Sequence, residues 1–144
     1  MSWVPGIRTM VGLMRRSDLD VLDAIIRTRG GFGHREHLEL AWTYLRAYPV
    51  QEAERVMIAA IQHVAREHGA EGKYHETMTR AWVHFTAVHM QRWGAESFDE
   101  FMQRNHHLLD GRLIEHFYSR ELIFGDSARA VWADPDLRPL PALA

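Results

Sequence analysis

Glycine and proline divide this chain into segments whose apolar residues recur three and four apart, and no stretch alternates apolar and polar residues for the length of a strand. Helices are therefore the only regular elements the pattern supports. Ser17 offers a hydroxyl cap, Asp18 and Asp20 place acids in a first turn, and Val21, Leu22, Ile25 and Ile26 follow at helical spacing. Arg27 and Arg29 suit the negative end of that dipole, and Gly30, Gly31 and Gly33 stop the helix. The pattern predicts a second helix over 34–47, ending before Pro49, and a third over 51–68, with Gly69 as its left-handed terminator. A fourth over 74–93 is stopped by Gly94. Ser97 and Glu100 form a capping box for a fifth over 98–109, which Gly111 closes. Shorter turns are expected over 113–118 and 127–132. The result is an all-α fold, a single irregular helical bundle of about five main helices plus short terminal turns. It occupies 17–134, between an N-terminal arm at 1–16, broken by Pro5, Gly6 and Gly12, and an extended proline-rich tail at 135–144.

Composition narrows the function classes. A length of 144 residues suits one core. With 17 lysines and arginines against 19 aspartates and glutamates, the charge gives no electrostatic reason to expect nucleic acid. No run approaches the roughly 20 apolar residues of a membrane span, so no membrane partner is expected. The absence of cysteine excludes thiolate metal sites and thiol nucleophiles and fits a reducing compartment, so a cytoplasmic location is the expectation. The N-terminal arm, which carries Trp3, is a candidate contact for a homo-oligomer.

Placing residues at 100° intervals separates surface polar groups from core-facing ones. On the second helix Leu38, Ala41, Trp42 and Leu45 define an apolar arc that also contains His34, His37 and Tyr44. The HxxH spacing sets two imidazoles one turn apart on one face, a geometry that a metal or a shared proton network can use. The fourth helix carries His75, Thr79, Thr86 and His89 within an arc marked by Met78, Ala81, Trp82, Phe85 and Val88. Burying an unpartnered polar group costs about 1–3 kcal/mol, so this stripe must be hydrogen-bonded or ligand-bound. The plain alternative for each histidine is a core residue satisfied by a backbone carbonyl. His84 and His63 fall on polar faces and are expected to be solvated. Trp93 is expected on the buried arc.

Four segments, HREHLELAWTYL (34–45), KYHETMTRAW (73–82), YSRELIF (118–124) and ARAVWADPDLRPLP (128–141), are similar to those of a group of small helical bacterial proteins without a settled function. The resemblance covers nearly the whole chain apart from the arm and transfers no activity. It implies that His34, His37, Lys73, Tyr74, His75, Glu76, Thr79, Tyr118, Ser119 and Arg129 belong to one site.

Three functions follow from different classes. In the first, His34, His37 and His75 ligate a transition metal such as iron, copper or zinc, with Glu76 or Glu39 as a carboxylate ligand or base. Neither HExxH nor the paired Glu-x-x-His of di-iron bundles is present. In the second, a metal-free pocket binds a small molecule, His37 and His75 act as acid and base, and Tyr44, Thr79 and Tyr118 orient the ligand. In the third, the chain is a non-catalytic interaction module whose arm or tail docks on a partner and whose buried polar groups fix the core. No nucleophile elbow, phosphate loop or dinucleotide fingerprint is present.

Overall fold

The computed structural model describes residues 14–144. The arm expected to mediate self-association therefore lies, through residue 13, outside the described residues. The α-helices are α1 (Arg16–Arg29), α2 (His34–Ala47), α3 (Val50–Glu67), α4 (Glu76–Arg92), α5 (Phe98–Arg104), α6 (Arg120–Ile123) and α7 (Asp126–Ala130). Short 3-10 turns lie at Glu71–Lys73, His106–Leu109 and Gly111–His116, and no strand occurs among the described residues. The fold is an all-α bundle. No helix among the described residues is long and apolar enough to cross a membrane.

Local chemistry sets the helix limits. The cap of α1 is Arg15, not Ser17, because the Asp18 carboxylate three residues on accepts the Arg15 backbone N–H at 2.9 Å. The same carboxylate accepts the Tyr48 hydroxyl, and Tyr44 donates to the Asp18 carbonyl at 2.9 Å, which ties α1 to the second half of α2. Gly30 and Gly69 close α1 and α3 at φ of 72° and 62°, the left-handed region where a side chain would be strained. The fifth helix stops early, at Arg104. Asn105 is wholly buried, leaves helical geometry, and returns its amide to the Phe101 carbonyl at 3.0 Å, so the chain continues as a 3-10 turn. Trp93 caps α4 and is 56% exposed, against the expectation of burial.

Two apolar clusters form the interior. Leu22 and Ile25 of α1, Leu40 and Tyr44 of α2, and Val56 and Met57 of α3 build the first. The second joins Leu38 and Trp42 of α2, Phe85 of α4 and Phe101 of α5 to Ile114, Tyr118 and Ile123. Each fully buried side chain of this size contributes about 1.5–3 kcal/mol. Helix α2 serves both clusters because its apolar arc wraps past one face, and α4 packs on α2, α3 and α7.

The tail is extended, as its prolines require, and polar contacts fix both it, through the Ser119 N–H on the Asp136 carboxylate at 2.8 Å, and the segment that leads into it. Thr77 donates to the Val131 carbonyl at 3.0 Å and accepts the Ala133 N–H at 3.1 Å, while Tyr118 donates to the Ala133 carbonyl at 2.7 Å. His84 is half-buried and donates its Nε2–H to the Pro141 carbonyl. It is thus a tail anchor and not the solvated residue its helical face predicts. His63 does lie at the surface side of α3, where it faces Glu67 at 3.2 Å.

Candidate functional site

A cavity of about 340 Å³ opens where the two clusters meet, at the N-terminal ends of α2 and α4. Ala41 of α2, Met57 and Ile61 of α3, and Met78 and Trp82 of α4 supply its apolar wall. Gly33, His34 and His37 border it from the start of α2. Lys73, Tyr74, His75 and Thr79 border it from the start of α4 and the turn before it. The three histidines singled out by their helical faces therefore line one cavity. A neighbouring cavity of about 260 Å³ shares His37, Ile61, Lys73 and Tyr74 with it.

A carbonyl can only accept a hydrogen bond, so the carbonyl partners fix which nitrogen of each ring carries a proton. His34 donates Nε2–H to the Leu108 carbonyl at 2.8 Å and stands edge-on to Trp82, its ring centroid 4.4 Å from the indole. His37 donates Nδ1–H to the Gly33 carbonyl at 2.7 Å, one turn back, and packs edge-on against Phe32. That bond leaves the neutral ring of His37 with a lone pair at Nε2. Burial is the main cause that holds the His37 pKa below the ordinary histidine value, with the charge of His34 adding to the effect.

His75 behaves differently from its placement in a helix interior. It is the cap of α4: Nδ1 accepts the Met78 backbone N–H at 3.1 Å, and Nε2–H donates to the Ile123 carbonyl at 2.6 Å. Both nitrogens are occupied. No lone pair remains for a metal and no site for a transferable proton, which corrects the ligand and acid–base roles expected of His75. Burial lowers its pKa, and the Arg129 charge lowers it further.

Thr79 borders the cavity, but its hydroxyl donates to the His75 carbonyl at 2.8 Å, one turn back. Thr86 bonds the same way, to the Trp82 carbonyl at 2.8 Å, and His89 donates Nδ1–H to the Phe85 carbonyl at 2.7 Å while its Nε2 meets the His107 Nε2 at 2.9 Å. The polar stripe of α4 is thus internally bonded along most of its length. Glu76 does not border the cavity. It accepts the Tyr74 hydroxyl at 2.7 Å and lies 3.8 Å from Arg80, which Glu54 also holds at 3.1 Å. Burial and this carboxylate push the Tyr74 pKa well above the ordinary tyrosine range, so the phenol stays neutral.

Other expected site residues lie elsewhere. Tyr118 is wholly buried in the second cluster, stands edge-on to Trp132 and anchors the tail, its pKa pushed up to about 12 chiefly by burial. It has no access to the cavity and cannot orient a ligand there. Tyr44 is buried in the first cluster with its hydroxyl on Asp18. Ser119 caps α6 through the Leu122 N–H, and Arg129 reaches the Gly72 carbonyl at 3.4 Å beside the cavity rim. Glu39 pairs with Arg29 at 3.2 Å and Arg35 at 3.7 Å and does not border the cavity. The apolar wall residues Met57 and Ile61 carry no chemical signal in sequence, and Lys73 and Tyr74 stand out only through the resemblance.

Among the described residues, no three His, Asp or Glu side chains come together in a group able to hold a metal. His34 and His37 each keep one lone pair, and the expected third ligand, His75, keeps none. No family model, curated protein or solved structure matches the chain.

Proposed function

We propose that the protein binds a small organic molecule in the cavity between α2, α3 and α4, with His37 accepting a hydrogen bond or proton from it. The carrying observation is the cavity itself. Its volume of about 340 Å³ suits a compact ligand, and its wall is apolar apart from a few polar groups near two helix ends. The Gly33 carbonyl fixes the ring of His37 with its lone pair at Nε2, and burial favours the neutral form. A neutral imidazole on a rigid helix is a competent acceptor near neutral pH. Tyr74 and Thr79 donate their hydroxyl protons within the fold and keep acceptor capacity only. The ligand is therefore expected to bring its own O–H or N–H donor.

Methyl-labelled methionine spectra test this reading with 3-phenylpropan-1-ol as the probe. Saturable shifts at Met57 and Met78, with Met102 in the second cluster unmoved, are expected at a Kd on the order of 1 mM. Absence of saturable shifts, or equal shifts at all three, would overturn the reading.

A further inference from the structure

Resting on that cavity reading, we propose that the ligand whose O–H or N–H meets His37 is an organic monocarboxylate, with its anionic group at Lys73 on the rim and its apolar body against Met57, Ile61, Met78 and Trp82. The wall contains one ammonium group and no carboxylate. The Lys73 backbone N–H donates to the Ala70 carbonyl at 2.9 Å, but its ammonium makes no hydrogen bond or ion pair among the described residues. Of the two acids nearest in sequence, Glu71 borders a different pocket and not this cavity, and Glu76 is held by the Tyr74 hydroxyl and by Arg80. A cation without a side-chain partner among the described residues, beside an apolar cavity whose wall has no acid, is complementary to a single negative charge at one end of an apolar molecule.

Other head groups fit less well. A cationic ligand would meet Lys73 with no carboxylate on the wall to offset it. A phosphate dianion calls for several donors, and the rings of His34, His37 and His75 have already given theirs to the carbonyls of Leu108, Gly33 and Ile123. One exposed ammonium suits one carboxylate, at the modest strength of a partly solvated pair.

The test compares three probes that share one apolar body: 3-phenylpropanoate, 3-phenylpropan-1-ol and 3-phenylpropan-1-amine, each titrated by calorimetry and by the Met57 and Met78 methyl shifts. The carboxylate is expected to bind about fivefold to tenfold more tightly than the alcohol, and the amine most weakly. Lys73→Gln should remove that advantage while leaving alcohol binding unchanged, and Lys73→Arg should retain it. Raising the salt concentration should weaken the carboxylate alone. Equal binding of acid and alcohol, preference for the amine, or an unchanged acid affinity in Lys73→Gln would overturn the inference while leaving the cavity reading intact. Failure of all three probes to move Met57 or Met78 would overturn both.

Discussion

His75 uses one ring nitrogen for the Met78 N–H and the other for the Ile123 carbonyl, so a single neutral imidazole joins the start of α4 to the end of α6. Its removal takes away a helix cap, worth about 1 kcal/mol, and strands a carbonyl at a cost of about 1–3 kcal/mol. His75→Ala should therefore lower stability by about 2–3 kcal/mol. Protonation attacks the same joint, because a charged ring carries a hydrogen on both nitrogens and cannot accept from Met78. The pKa values of His37, His75 and His89 are all depressed, chiefly by burial. A depressed value means that the unfolded chain binds more protons, so the contribution is fully present above about pH 6.5 and is lost as pH falls toward the folded values. Urea denaturation at pH 7.5 and pH 5.5 should show the lower stability at pH 5.5. The slope should be smaller in His75→Asn, which keeps a cap but has no ring to titrate. A wild-type stability that is flat or rises on acidification would contradict this picture.

At the scale of elements, the short C-terminal pieces are held less by their own helicity than by what they bond to. Helices α6 and α7 have four and five residues, too few to persist alone. Ile123 and Ala128 bury completely, and Thr77 and Tyr118 hold the chain at Val131 and Ala133. Tyr118→Phe keeps the ring and deletes only the bond to the Ala133 carbonyl, so a stability loss of about 1 kcal/mol is expected. The loss should appear with faster amide exchange over 131–137 and with unaltered probe binding in the cavity. Weakened binding with unaltered exchange would return Tyr118 to the site. The main helices were legible because their ends carry local chemistry: Gly30 and Gly69 at left-handed positions, the Ser97 cap, and Pro49 before α3. The breaks at Asn105 and His75 were not legible. An apolar arc runs straight through both, and each residue leaves helical geometry for a tertiary partner or a buried bond that periodicity does not encode.

Across the whole molecule, the helical faces of α2 and α4 placed His34, His37, His75 and Thr79 toward a common region, and all four border one cavity. What those faces could not supply is the state of each polar atom. A carbonyl four positions back takes the proton of His37, Thr79, Thr86 and His89, while distant carbonyls take those of His34, His75 and His84. The same wheel position therefore served a structural clamp and a candidate base. The division between them is tested most directly by the long-range proton–nitrogen spectrum of the imidazole rings, recorded without and with 3-phenylpropan-1-ol at neutral pH. His37 should appear as the Nδ1–H form with its bare Nε2 shifting as the probe binds, and His75 as the Nε2–H form unmoved by it. A shift at His75, or a silent His37 alongside saturable shifts at Met57 and Met78, would contradict the assignment of His37 as the group that meets the ligand.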